Sequence, residues 1–206
     1  MTKMKKGFTL IELLVVIGII GILIAVSAGA YVKMTASAER ARCQELVSNV
    51  STALTAYFND NGVWPRAILN NGGTTDARLD EHAGYPLAKG AYMTLTHSGG
   101  KLTGYDRFGV LTPWATALLK SRGANATLGD RVQSGGTLED HILHYAVDAD
   151  GDGIIPSASV GGESVAIRAT VAVWCCGKDG RIERYKRGLK ADDIYSWTYG
   201  QTRDVK

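Results

Sequence analysis

The longest feature of the hydropathy pattern is an unbroken apolar segment at residues 8–30, FTLIELLVVIGIIGILIAVSAGA, in which Glu12 is the one ionisable residue. Its length is about that of a helix that crosses a bilayer. A secretory signal peptide has a shorter apolar region that ends at a small-residue cleavage site, whereas this segment runs directly into a polar helical pattern. The pattern predicts a membrane-spanning helix, and the plainest alternative is an ordinary uncleaved anchor.

The basic residues before this segment predict its orientation. Lys3, Lys5 and Lys6 lie in residues 1–7, which contain no acidic side chain. Because lysines concentrate on the cytoplasmic side of a membrane span, we expect a single-pass topology with the N-terminal end in the cytoplasm and residues 31–206 on the other side of the membrane. These residues are expected to form one domain, which includes the second half of the N-terminal helix.

A helical period continues beyond the membrane segment. Apolar residues recur there at three- and four-residue spacing, which is typical of a helix with one buried face, at Cys43, Leu46, Val47, Val50, Leu54, Tyr57 and Phe58. Asn61-Gly62 and then Trp64-Pro65 supply a left-handed cap and a stop. The helix is predicted to end near Asp60.

The rest of the chain has weaker patterns. Residues 66–136 are rich in Gly, Asn, Thr and Ser and are predicted to be mostly loops, with one short helix from Pro113 to a stop at Gly123. From Ile142 onward, the runs ILHYAV and VAIRATVAVW indicate antiparallel strands. We therefore predict an α+β fold in which a long N-terminal helix packs on a small antiparallel sheet with long loops.

Charge and composition exclude several classes of function. The chain has 206 residues with a net charge of +3, and the three lysines of residues 1–7 account for all of this excess. Nucleic acid is therefore not an expected partner. The sequence contains no nucleophile elbow, no phosphate-binding glycine loop and no HExxH motif, so an enzyme is not expected.

Glu12 requires an explanation, because an unpaired carboxylate inside hydrocarbon costs several kcal/mol. Cleavage after Gly7 would create a new amine on Phe8. If helices stack with an axial stagger, the amine of one subunit lies near Glu12 of another. The pair would then fix the register of an assembly.

The residues KKGFTLIELLVVIGIIGILIA resemble the class III signal of type IV pilins and of type II secretion pseudopilins. The resemblance implies that a prepilin peptidase cleaves between Gly7 and Phe8 and N-methylates Phe8. It also implies that Glu12 pairs with the N-terminus of a neighbouring subunit. Many members of these families have proline at the position of Gly29, and glycine there loosens a helix less than proline does.

By this resemblance the chain is most similar to a major pseudopilin, a subunit of the periplasmic pseudopilus of a type II secretion system. The implied partners are further copies of the chain as a homopolymer, other pseudopilins, the prepilin peptidase and the inner-membrane assembly platform. One alternative is a type IV pilin for adhesion, motility or DNA uptake. Another is a monomeric, membrane-anchored, calcium-dependent binding module, which leaves Glu12 unexplained.

The turn DADGDGIIP is a candidate calcium loop. Asp148, Asp150 and Asp152 alternate, Gly153 allows a sharp bend, and the carbonyl of Ile154 can add a ligand. The twelfth position of an EF-hand-like loop is Ser159 instead of a bidentate glutamate. The alternative is a solvated acidic turn.

A second, weaker calcium candidate lies near the C-terminus. Major pseudopilins often carry a Gly-x-Asp-Gly turn and then Asp-Asp-Ile in a loop that binds calcium, and the matching residues here are Gly177, Asp179, Gly180, Asp192, Asp193 and Ile194. A basic run separates the two parts, namely Arg181, Arg184, Lys186, Arg187 and Lys190. Asp192 and Asp193 can equally cap the last segment or pair with these bases.

The three cysteines leave one thiol over in any pairing. Cys175 and Cys176 are adjacent, so their side chains diverge if they lie in a strand. One of them can meet Cys43 where the helix contacts the sheet, and the alternative is that all three are buried, unpaired thiols.

Overall fold

In the computed structural model, the residues that the structure describes are 8–72, 77–89, 92, 96–98, 101–103, 105–106, 108–156, 165–181, 193–196 and 202–204. The chain divides into two compact units, one up to Glu39 and one from Arg40 onward. The leader, residues 1–7, lies outside the described residues.

The predicted long helix is confirmed as α1, Leu10–Asn61, a helix of 52 residues. Its end is the one that the sequence predicts. Gly62 has a φ of 68° and donates its backbone N–H to the carbonyl of Phe58 at 2.7 Å, while the Asn61 side chain donates to the carbonyl of Tyr57 at 2.9 Å. These bonds satisfy carbonyls that the last turn leaves without helical partners.

The predicted apolar stripe of α1 faces the core of the second unit. Four of its seven residues are buried, and the other three are partly buried against the same core. The buried ones are Cys43, Val47, Val50 and Leu54, and Ala53, which the prediction did not include, is buried beside them. The stripe packs on inward-facing residues of strands β5, His144–Val147, and β7, Val171–Cys175. The expected packing of helix on sheet is confirmed for this unit.

The expectation of loops at residues 66–136 is wrong in part. Two further helices occur there, α2 at Arg66–Gly72 and α3 at Glu81–Lys89. Both are short, and α3 contains Pro86, so neither has a strong sequence pattern. Packing stabilises them instead, since Ile68 and Leu87 are fully buried. The predicted short helix is confirmed as a 3-10 turn, Pro113–Ala115, followed by α4, Thr116–Arg122.

The central sheet is antiparallel, in the order β5-β7-β8, with β8 at Ile194–Tyr195. His144 pairs with Trp174, and Cys175 pairs with Ile194. The run VAIRATVAVW does not form one strand. It divides into β6, Val165–Ile167, and β7, because a turn intervenes and the two strands pair with different partners.

Several short strands complete the elements. Among the described residues, β1 (Thr96–Ser98) pairs with β2 (Lys101–Thr103), and β3 (Tyr105–Asp106) pairs with β4 (Gly109–Val110). Strand β6 pairs with β9 (Thr202–Asp204). All three pairings are antiparallel. Sheet strand β7 is buried along its whole length. Its Val171, Val173 and Cys175 pack on the α1 side, while Ala172 and Trp174 pack in a second cluster on the other side.

Candidate functional site

The first turns of α1 carry the residues that the sequence singles out for assembly. Phe8 and Glu12 are described, and both lie on the exposed surface of the first unit; Gly7 lies outside the described residues. The large apolar residues from Phe8 to Met34 are exposed, for example Ile11 at 74% and Val26 at 73%. This half of the helix is long and apolar enough to cross a membrane, and within the part of the chain that the structure describes its most hydrophobic stretch is not buried.

Glu12 has a local partner that sequence reasoning missed. The backbone N–H and the hydroxyl of Thr9 both donate to Glu12 Oε2, at 2.9 and 2.8 Å, and the Glu12 N–H donates to Thr9 Oγ1 at 3.3 Å. This reciprocal pattern is a capping box, in which Thr9 is the N-cap and Glu12 is its N3 residue. The spacing Thr9-x-x-Glu12 was the available signal. Glu12 therefore helps to begin α1 in the single chain.

The structure brings the first candidate calcium residues together. One carboxylate oxygen from each of Asp148, Asp150 and Asp152 lies within 4.8 Å of the others. Asp148 is buried, and its two oxygens accept the N–H groups of Gly151 and Gly153, both at 2.8 Å. The other two carboxylates are exposed. Oxygen atoms at this spacing suit a hard cation.

This acidic turn is joined to the end of α1. Trp64 Nε1 donates to the backbone carbonyl of Asp148 at 2.8 Å, and Trp64 stacks on Phe58 with ring centroids 4.8 Å apart. Asp152 accepts the N–H of Ile154 at 2.7 Å, so the candidate ligand carbonyl of Ile154 follows directly after an ordered turn. The turn is thus held in shape by the protein itself.

The structure describes only some residues of the second calcium candidate near the C-terminus. Gly177 and Gly180 have positive φ values of 60° and 67° within a turn, as the Gly-x-Asp-Gly resemblance implies. Asp193 is buried, with 5% of its surface exposed, and accepts a hydrogen bond from the Tyr195 hydroxyl at 3.0 Å. Asp192 lies outside the described residues, as does the basic run after Arg181. The described residues therefore include only one member of this acidic pair, Asp193.

Two histidines have structural partners. His141 Nδ1 lies 2.9 Å from the Thr112 hydroxyl, and its Nε2 lies 3.0 Å from the carbonyl of Gly135. His144 stacks on Trp174 with ring centroids 5.5 Å apart. Both histidines are buried, so these contacts account for their positions in the core.

Comparisons with known proteins agree with the N-terminal geometry. Residues 2–28 match the prokaryotic N-terminal methylation motif. The chain is 44% identical over 66 residues to the type IV major pilin protein PilE of Neisseria gonorrhoeae, which covers 32% of this chain and 40% of that protein. It is 39% identical over 79 residues to a fimbrial protein of Neisseria meningitidis serogroup B, which covers 38% of this chain and 46% of that protein.

A further relative is the fimbrial protein EcpC of Eikenella corrodens, 43% identical over 63 residues, or 31% of this chain and 41% of that protein. The chain thus aligns with less than half the length of these relatives. No solved structure matches it. The methylation motif at residues 2–28 overlaps the first part of α1. The chain thus carries an N-terminal methylation motif and a long apolar helix, and about a third of its length is similar to a type IV major pilin and to fimbrial proteins.

Proposed function

We propose that this chain is a structural, non-catalytic subunit of a type IV pilus-class filament. A prepilin peptidase cleaves it between Gly7 and Phe8 and N-methylates Phe8. Residues 8–30 hold it in the inner membrane, with the remaining domain in the periplasm, until an inner-membrane assembly platform adds it to the growing homopolymer. The observation that carries this proposal is the exposed apolar half of α1, which the first unit leaves unburied.

The exposed half of α1 needs an apolar environment both in the membrane and in the filament. In the membrane, lipid covers its apolar side chains. Outside the membrane they need a comparable apolar environment, and the same helices of neighbouring subunits supply one. Glu12 is the exception in the segment. Its pairing with a neighbour's Phe8 amine gives the stack a defined axial register.

A second part of the proposal concerns whether the filament extends beyond the cell surface or stays in the periplasm. The relatives are named as pilins and fimbrial proteins, which supports a surface pilus. The Gly177-x-Asp179-Gly180 turn, followed by Asp193-Ile194 at β8, supports the second candidate, a pseudopilus of a type II secretion-like system that also contains other pseudopilins. Shearing intact cells separates the two, because only a surface pilus enters the sheared fraction.

We further propose that Asp148, Asp150, Asp152 and the Ile154 carbonyl bind calcium. The support is the approach of three carboxylate oxygens to within 4.8 Å, two of them on exposed side chains. Without a cation these charges repel one another. Asp192 and Asp193 are retained as a second, weaker calcium candidate.

The experiment that tests the proposed function is the intact mass of the protein purified from its native membrane. A chain that begins with methylated Phe8 supports it. A chain that keeps residues 1–7 in cells with an active prepilin peptidase contradicts it, and favours the monomeric anchored binding module.

A further inference from the structure

Cys43 of α1 and Cys175 of β7 meet in the core of the second unit. Their sulfur atoms lie 2.7 Å apart, although 132 positions separate them in the sequence. Both side chains are completely buried, and both belong to the cluster that joins the helical stripe to the sheet. In the structure all three cysteines are thiols. Helix and sheet thus hold two thiols in contact without a covalent bond.

The third cysteine is directed elsewhere. Cys176 Sγ lies 3.2 Å from Nε2 of His144, and His144 stacks on Trp174. Neighbouring side chains along an extended chain alternate between the two faces of a sheet. Cys175 therefore faces α1, and Cys176 is held on the side of Trp174. The geometry selects one of the two adjacent cysteines as the partner of Cys43.

The two contacting thiols differ in acidity. The hydrogen bond from Cys43 and the backbone N–H groups of Gly177 and Ile194 lower the pKa of Cys175. The shared hydrogen bond with Cys175, and then burial, raise the pKa of Cys43. In the folded core Cys175 is therefore the more acidic of the two thiols.

We propose that Cys43 and Cys175 form a disulfide in the exported protein, while Cys176 remains a thiol. This inference rests on the proposed function, because export moves the domain out of the reducing cytosol and into a compartment where disulfides persist. The bond would tie α1, the helix through which subunits assemble, to the sheet of the domain that each subunit carries.

The oxidant is of the class of dithiol-disulfide oxidoreductases. Either chain thiolate can attack first; with Cys175 as the attacker, it forms a mixed disulfide with the oxidant and releases one thiolate of the oxidant. Cys43 then loses its proton and attacks Cys175 Sγ, and the second oxidant thiolate leaves. The two chain thiols are oxidised by two electrons, and the oxidant takes up these electrons and two protons as a dithiol. Because both sulfurs are fully buried after folding, this exchange precedes closure of the core.

The experiment is thiol counting on the full-length chain from native membranes. Cells are quenched in acid and the protein is unfolded. One sample is alkylated directly and a second sample is alkylated after reduction, and the intact mass of each gives its number of alkyl groups. A processed chain is expected to carry one alkyl group before reduction and three afterwards. Cys43→Ser and Cys175→Ser should each carry two before reduction, and Cys176→Ser should carry none. Three groups on the unreduced processed wild-type chain overturn the proposal.

The same spectrum separates failure of the disulfide from failure of the proposed function. Loss of residues 1–7 lowers the intact mass by a different amount than alkyl groups add, so the spectrum reports cleavage after Gly7 independently of the thiol count. If the leader is retained, the purified full-length chain is unfolded, reduced and refolded in detergent with glutathione disulfide, and its disulfides are mapped by peptide mass. A Cys43–Cys175 cross-link in that case supports the pairing, and a Cys175–Cys176 cross-link or three free thiols overturns it.

A thermal measurement gives a further readout without a variant. Linking residues so distant in sequence restricts the unfolded chain strongly, so reduction of the wild-type protein is expected to lower its Tm by about 10 °C. Cys176→Ser should show the same fall, since its disulfide is intact. Equal Tm values for the oxidised and reduced wild-type protein contradict the cross-link.

Discussion

Thr9 and Glu12 form a reciprocal capping box at the start of α1, with both Thr9 donors on Glu12 Oε2. Glu12 therefore has two separable roles, one as a cap within the chain and one as the charge that we propose pairs with a neighbour's Phe8 amine. A glutamine at this position keeps the capping box and loses the charge. The pair thus provides a way to test the two roles independently.

Glu12→Gln is expected to insert into the membrane and to be cleaved normally, yet to reduce filament yield by at least about 10-fold, because the Phe8 amine of the neighbouring subunit loses its ionic partner. Glu12→Ala should fail equally. The measurement is the amount of subunit in purified filaments relative to that in the membrane. Glu45→Gln, a neutralised acid on the exposed side of the same helix, should assemble like the wild type.

Thr9→Ala is the complementary change. It removes the N-cap hydroxyl, which costs about 1 kcal/mol of helix stability, and it keeps the charge of Glu12. Filaments should still form. Normal assembly of Glu12→Gln together with failure of Thr9→Ala would show that the cap, and not the charge, is what assembly needs.

Gly109 lets β4 approach the start of α3. Its φ is +110°, and a Cβ atom there would collide with the carbonyl of Leu79 and the backbone of Asp80. Gly109→Ala should therefore lower the free energy of unfolding by more than about 1 kcal/mol. Chemical denaturation of the full-length protein in detergent measures this. Gly129→Ala, where a Cβ would meet nothing within 4 Å, should change it by less than about 0.5 kcal/mol.

Long-range periodicity explains which elements the sequence predicts. The apolar stripe of α1 repeats over several helical turns, so a polar residue at one position does not hide the helical period. Helices α2 and α3 have only 7 and 9 residues, and they depend on tertiary contacts that a local pattern does not contain. The β6 to β7 run is rich in β-branched residues on both sides of Arg168, and it divides where a turn intervenes and the two strands take different pairing partners.

The candidate sites show the same limit. Glu12 and the alternating aspartates are visible because unusual charge stands out in its sequence context. Thr9 gives a weaker signal, because a threonine beside an apolar segment is common and only its T-x-x-E spacing to Glu12 indicates a cap. The choice between Cys175 and Cys176 depends on which face of β7 meets α1, and residue spacing alone fits either.

Tyr145 joins β5 to α2, since its hydroxyl donates to the carbonyl of Ile68 at 3.0 Å inside the core. Tyr145→Phe should lower the free energy of unfolding by about 1 kcal/mol at neutral pH. Tyr85→Phe changes an exposed tyrosine of α3 and should leave it unaltered. Equal stability of the Tyr145→Phe variant and the wild type would mean that the bond contributes nothing net.

Alkaline pH provides a second signature of Tyr145. Burial, and then the nearby charge of Asp80, raise the pKa of Tyr145 above its ordinary value of 10. The unfolded chain therefore loses the phenol proton first, so stability is full below about pH 10 and falls by up to about 1.4 kcal/mol per pH unit above it. Tyr145→Phe lacks this contribution. Its disadvantage should shrink as the pH rises from 10, and a gap that stays constant contradicts the raised pKa.

Calcium should stabilise the folded protein through the Asp148 turn. If the ion binds the folded state alone, then at 100 times its Kd it adds about 2.7 kcal/mol, which raises Tm by several degrees, and a chelator reverses the effect. Asp150→Asn combined with Asp152→Asn removes two exposed candidate ligands and should abolish the calcium-dependent shift.

Asp148 is left unchanged in this double variant because its carboxylate accepts two N–H groups that shape the turn. Asp60→Asn, at an exposed position near the end of α1, should keep the full shift. A shift that survives in the double variant would place calcium elsewhere, with Asp192 and Asp193 as the next pair to change, whereas the absence of any shift in the wild type would show that the turn is held by its own hydrogen bonds alone.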